Sequence, residues 1–165
     1  MIPWLAEDIM NPDVLTVGEE MLVRDLALFL TEHEISGAPV VDRFGRPVGV
    51  VSETDVVSVD RAGRKDDGAP SSYYCRAFEN RFSIESIRGL RVEEGDLKVG
   101  DIMTPIVISV GRDMPVSHIA RLMLQDHIHR VIVRDGESIA GIVTSFDMLR
   151  LFVDDESAEV LRKTG

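Results

Sequence analysis

The chain contains one pattern twice. Asp8-Ile9-Met10-Asn11-Pro12 returns 93 residues later as Asp101-Ile102-Met103-Thr104-Pro105. At that offset, residues 8–42 and 101–135 are identical at 13 of 35 positions, where average residue usage gives roughly two or three matches by chance. After a one-residue deletion the match resumes: Gly49-Val50-Val51-Ser52-Glu53-Thr54-Asp55 meets Gly141-Ile142-Val143-Thr144-Ser145-Phe146-Asp147. A unit of only about 50 residues buries too little surface to fold alone, so the two copies are expected to pack on each other. Two similar units related by a pseudo-twofold leave clefts between them, and clefts bind ligands.

Each copy reads as strand, helix, strand, strand, helix. Val14-Leu15-Thr16-Val17 and Val107-Ile108-Ser109-Val110 are β-branched runs expected as strands. Val23, Leu26, Ala27 and Leu30 form an apolar stripe at helical spacing, repeated by Val116, Ile119, Ala120 and Met123. Two strands follow in each copy, Ala38–Val41 with Val48–Val51 and Val131–Val133 with Ile139–Val143. They are joined by the turn-forming Asp42-Arg43-Phe44-Gly45 and Asp135-Gly136. A second helix begins near Glu53 and near Ser145. A local hairpin plus a helical crossover defines an α+β fold, two pseudo-symmetric repeats packed through their sheets.

Between the copies the pattern breaks. Gly63-Arg64-Lys65-Asp66-Asp67-Gly68-Ala69-Pro70-Ser71-Ser72 is a polar, breaker-rich loop. Tyr74, Phe78 and Phe82 then fall at i, i+4 and i+8 on a short helix, expected to pack back on the module or across a dimer. A dedicated partner surface is the alternative. Arg88–Gly100 alternates and leads into the second copy. The acidic residues Asp154-Asp155-Glu156 read as a solvated helix end.

The formal net charge of −11 argues against nonspecific nucleic-acid binding, which requires clustered cations, but not against a small phosphorylated ligand. No apolar run approaches the ~18 residues of a membrane span, the start lacks a basic signal-peptide region, and the one cysteine, Cys75, has no partner for a disulfide. The expected location is cytoplasmic. His127 and His129 alternate as on a strand, but without cysteines or carboxylates in ligand spacing no metal site is expected. His33 and His118 belong to the amphipathic helices. Cys75 has no neighbouring histidine to make it a nucleophile. No glycine-rich phosphate loop is present, and Gly49 and Gly141 read as points of close backbone approach within strands.

The ordered set Asp-Ile-Met-x-Pro, strand, amphipathic helix, Pro-Val-Val-Asp-like strand, Gly-Val-Val-Ser and a later Asp resembles the CBS domain family. Two in tandem resemble a Bateman module. The resemblance covers residues 6–58 and 98–152, leaving 59–97 as an inserted linker with a short helix and 153–165 as a tail. It implies a regulatory, non-enzymatic module that binds an adenosine-containing ligand, AMP foremost, with no cofactor or metal. It also implies a homodimer and an unidentified regulated partner, without nucleic acid or membrane. S-adenosylmethionine or another adenosyl compound is the rival ligand, and a ligand-free dimerisation scaffold is the rival role.

The resemblance also assigns residues. Ser52 with Asp55, and Thr144 with Asp147, would lie beside ribose and phosphates. A carboxylate can accept hydrogen bonds from both ribose hydroxyls, and a helix start favours an anion. The same Ser/Thr-x-x-Asp spacing is close to a capping box, so capping alone remains open. The segment opening each middle strand would complete the cleft of the opposite copy: His129, Arg130 and Val131 facing Asp55, and Ser36, Gly37, Ala38 and Pro39 facing Asp147. His129 and Arg130 resemble a phosphate-contacting pair, whereas the copy-one segment carries no cation. Thr16 and Ser109 would contact the base.

Overall fold

A computed structural model describes residues 4–62, 72–75 and 97–153. The chain divides into two compact units, Leu15–Ile108 and Met1–Val14 with Ser109–Gly165. Repeat and compact unit are therefore offset by the lead-in segment that opens each repeat.

In the first unit, β1 (Val17–Gly18), β2 (Gly37–Val41) and β3 (Pro47–Ser52) form a sheet of order β1-β2-β3. The β1–β2 pair is parallel and the β2–β3 pair antiparallel. Helix α2 (Val23–Glu32) crosses between β1 and β2, and α3 (Glu53–Ala62) follows β3. The expected stripe Val23, Leu26, Ala27 and Leu30 is buried, with Val17, Ala38, Val40, Val51 and Val56. Short helices α4 (Ser72–Cys75) and α5 (Val99–Ile102) complete this unit.

The second unit repeats the plan. Helix α1 (Ala6–Ile9) comes from the lead-in; β4 (Ser109–Gly111), β5 (Arg130–Asp135) and β6 (Ser138–Thr144) form the sheet β4-β5-β6. Helix α6 (Val116–Asp126) crosses over, and α7 covers residues 145–153. The architecture is the α+β pair of repeats expected.

The lead-in helices α1 and α5 were not expected, and each has a local cause. The Asp of each Asp-Ile-Met motif caps its own helix: Asp8 Oδ2 accepts the Leu5 N–H at 2.8 Å and Asp101 Oδ2 accepts the Lys98 N–H at 2.9 Å. Val99 and Gly100 thus stand in α5 rather than in an alternating run. Downstream of each helix the backbone docks on a sheet edge. Asn11 exchanges two hydrogen bonds of 2.9 Å with Ile142, and Thr104 exchanges bonds of 2.9 and 3.0 Å with Val50. Glycine is required beneath both contacts. A Cβ on Gly49 would lie 2.7 Å from the Thr104 carbonyl oxygen, and one on Gly141 would lie 2.6 Å from Met10 Sδ. Close approach, the role read for both glycines, is what the structure shows.

Three sequence expectations need correction. The first strand of copy one begins at Val17, not Val14, while that of copy two begins at Ser109, not Val107. Thr16 corresponds to Ser109 in the repeat. Ser109 pairs with Ile132, but the residue corresponding to Ile132 is Pro39, which has no N–H to offer a parallel neighbour. Val50, opposite Pro39, directs its own backbone bonds to Thr104. The missing donor of Pro39 therefore faces the β1 side, and β1 stops one residue short.

The histidines also differ from the expected strand alternation. His127 ends α6 in the left-handed region at φ 53°, and only the residues from Arg130 onward are strand. The Ile128 N–H bonds to the Met123 carbonyl at 3.0 Å, as the Ile35 N–H bonds to that of Leu30 at 3.1 Å beyond Glu34, also at φ 53°. Both helices thus end in the same Schellman-type closure without glycine, with an isoleucine packed behind it. The His33 ring meets that of Phe29 at a tilt of 55°, with centroids 4.4 Å apart.

Of the expected aromatic stripe, Tyr74 packs back on its unit as anticipated; Phe78, Phe82 and the acidic tail lie outside the described residues. Cys75 ends α4.

Candidate functional site

In the first unit, β3 delivers Ser52 to the start of α3. The Ser52 N–H and Oγ–H both donate to Asp55 Oδ2, each at 2.7 Å, and Ser52 Oγ lies 2.8 Å from Thr54 Oγ1. Ser52 is 2% exposed, a buried polar side chain satisfied by this clasp. The hairpin register sets Gly37 opposite Ser52, Ala38 opposite Val51 and Pro39 opposite Val50. The Ser36 carbonyl accepts the Glu53 N–H at 3.0 Å. Ser36, Gly37, Ser52 and Asp55 are therefore gathered where β2 begins and α3 begins. Thr16 is half-buried, immediately before β1.

The second unit builds the same corner. Thr144 N–H and Oγ1–H donate to Asp147 Oδ2 at 2.8 and 2.6 Å. Arg130 pairs with Thr144 and Val131 with Val143 across the hairpin, and the His129 carbonyl accepts the Ser145 N–H at 2.9 Å. Ser109 opens β4 opposite Ile132. Asp147 Oδ1 lies 3.6 Å from an Arg150 nitrogen, an ion pair too exposed on the arginine side to contribute much to stability. The Ser145 hydroxyl oxygen is buried at this corner and makes no hydrogen bond among the described residues.

Both aspartates thus act as N-terminal helix caps, accepting the preceding N–H as the reciprocal half of a capping box does. In each unit the strand opening stands next to the cap. Among the described residues, only the second corner carries a histidine and an arginine. Asp55 belongs to the first unit and His129 and Arg130 to the second, so the expected pairings of Asp55 with His129 and Arg130, and of Asp147 with Ser36–Pro39, draw on both units and neither lies within one. No group of three or more His, Cys, Asp and Glu side chains suited to a metal occurs among the described residues. No helix there is long and apolar enough to cross a membrane.

Sequence reasoning missed Tyr73, Ser145 and Arg150. Ser145 lay within the quoted motif but was read only as a helix start. Tyr73 falls off the apolar spacing that picked out Tyr74, and a one-dimensional pattern gives no sign that its ring meets Gly37.

Two strand–helix–strand–strand–helix repeats, each with a capped Ser/Thr-x-x-Asp corner, define a tandem-repeat α+β architecture. The CBS domain family model matches residues 6–62 and 99–154, and the chain belongs to that family. It is 30% identical over 154 residues to the uncharacterised protein MJ1426 of Methanocaldococcus jannaschii, covering 90% of this chain and 91% of that one. The CBS domain pair of protein MJ0100, solved with 5′-methylthioadenosine and S-adenosyl-L-methionine, is 25% identical with a TM-score of 0.62, covering 93% of this chain and 99% of that one. The cytosolic domain of the Mg2+ channel MgtE, solved with ATP, is 25% identical with a TM-score of 0.63, covering 89% of this chain and 48% of that one.

Proposed function

We propose that this chain is a regulatory module that senses an adenosine-containing ligand, most specifically the adenine nucleotide AMP, and passes its occupancy to a partner or to a second copy of itself. The observation that carries this reading is the twice-built corner in which Ser52–Asp55 and Thr144–Asp147 meet the strand openings at Gly37 and Arg130. The similar structures that hold S-adenosylmethionine, methylthioadenosine and ATP support the adenosyl part. His129 and Arg130 support the phosphate part, because a guanidinium fork matches phosphate oxygens and an acidic protein needs local cations to hold an anion. The Asp55 and Asp147 carboxylates suit ribose hydroxyls, because a carboxylate can accept from both members of the diol. Ligand occupancy would favour the arrangement that grips it, a population shift rather than chemistry.

S-adenosylmethionine is the second reading, favoured by the strand opening at Ser36–Pro39, which carries no cation to draw a phosphate. A melting series with AMP, ADP, ATP and S-adenosylmethionine tests both. A ligand at 100 times its dissociation constant adds about 2.7 kcal/mol, a rise of several degrees for a chain of this size. AMP is expected to raise the melt most. A larger rise with S-adenosylmethionine selects the second reading, and no response to any adenosine compound at millimolar concentration contradicts both.

A further inference from the structure

Tyr73 and Tyr74 come from a polar, breaker-rich insert, yet they are only 2% and 1% exposed. Their rings meet edge to face at 5.1 Å. Tyr73 packs beside the opening of β2: a Cβ on Gly37 would meet the Val51 carbonyl oxygen at 2.5 Å, Tyr73 Cδ2 at 2.9 Å and Ser52 Cα at 3.0 Å. Tyr74 bonds the extended stretch that leads into β4. Its hydroxyl oxygen accepts the Ile108 N–H at 2.8 Å and lies 3.5 Å from the Ile106 carbonyl oxygen it donates to.

Two residues apart on an extended chain, a carbonyl and an N–H face the same side. A free edge of that kind presents an acceptor and a donor together. Adenine offers the complement, an amino donor beside a ring-nitrogen acceptor. A phenol hydroxyl, which also donates and accepts, satisfies the same pair. The neighbouring Tyr73 ring packs edge to face on Tyr74 and buttresses it against the start of β2.

We propose that the Tyr73–Tyr74 pair is a built-in occupant of the first unit's base-binding surface, which an adenine ligand must displace. This rests on the adenosine reading above. The ligand then binds only to the fraction of molecules in which the pair has swung away, and its apparent affinity falls by that fraction. The insert becomes a sensitivity control: any partner that holds the tyrosines away tightens ligand binding, and any that clamps them weakens it.

The test is calorimetry with adenosine on the full chain and on Tyr74→Phe, paired with tyrosine second-derivative absorbance. The chain has two tyrosines, Tyr73 and Tyr74, so once the contributions of Trp4 and of adenosine are subtracted the tyrosine bands report on this pair. Tyr74→Phe keeps the ring and removes the competing hydrogen bonds; about tenfold tighter adenosine binding is expected. In the unsubstituted chain, saturating adenosine is expected to shift the tyrosine spectrum to that of solvent-exposed rings. Tyr73→Ala, which removes the ring that buttresses Tyr74, is expected to tighten binding in the same direction. Equal binding by the chain and Tyr74→Phe with an unmoved spectrum overturns the occlusion and leaves the adenosine reading standing. Weaker binding by Tyr74→Phe overturns it too, because the hydroxyl is then a wall of the site. No adenosine binding by any of the three proteins overturns both.

Discussion

At the residue scale, Oδ2 of Asp55 and of Asp147 accepts the N–H that precedes its helix, a role that needs an acceptor but not a charge, whereas a ribose diol is held best by a charged carboxylate. Removing the clasp and removing the ligand contact can therefore be separated. Asp147→Asn keeps an acceptor for the Thr144 N–H, so the ligand-free melt should fall by less than about 1 kcal/mol, whereas Asp147→Ala should cost about 1–2 kcal/mol. Nucleotide binding should weaken in both. A large loss of stability in the Asn variant with unchanged binding would assign the residue to capping alone. Chemical denaturation with and without AMP measures both quantities.

Tyr74 gives a second residue-scale prediction. Burial pushes its phenol up to about 12, against the opposing effect of the hydrogen bond from Ile108. A raised folded-state value means the native state holds its proton where the unfolded chain has lost it. The contribution to stability is complete below the unfolded value near 10 and is lost as pH rises through about 12. The melting temperature should therefore decline between those values, and Tyr74→Phe should flatten the decline. An equally steep alkaline limb in the variant would place the transition elsewhere.

At the scale of elements, the repeat made most of the fold legible. Both crossover helices were readable from Val23–Leu30 and Val116–Met123, because burial on one helical face imposes the spacing. Strand starts were less legible: β-branched character marks Val14, Thr16 and Val107–Ile108 as strand-like, but a strand exists only where a partner can pair; Pro39 withholds one from Thr16, and Ile108 gives its N–H to Tyr74 instead. The lead-in docking left a readable trace in its glycines. Gly49→Ala and Gly141→Ala should each destabilise by about 1–3 kcal/mol, since a Cβ meets backbone oxygen or Met sulfur inside normal contact. Gly18→Ala is the control, with nothing within 4 Å of its Cβ position. Thermal melts of the three variants check this, and equal behaviour would remove the close-approach account.

At the scale of the whole molecule, repetition conceals an asymmetry. The two corners share their clasp geometry, but one strand opens on His129 and Arg130 and the other on Ser36 and Gly37. The Ser/Thr-x-x-Asp corners were visible in the sequence because the repeat displayed them twice. The tyrosine pair was not, since its place depends on contacts between distant stretches. That difference makes AMP, rather than adenosine, the ligand that should respond to the cationic corner.

Calorimetry of AMP and adenosine on the chain and on Arg130→Ala tests the nucleotide claim most directly. The unsubstituted chain should bind AMP more tightly than adenosine. Arg130→Ala should weaken AMP by about 1.5–3 kcal/mol, as for a hydrogen bond to a charged group, and adenosine far less. Equal losses for the two ligands, or AMP binding that ignores the substitution, would contradict a phosphate held at Arg130 and with it the reading of this chain as an AMP sensor.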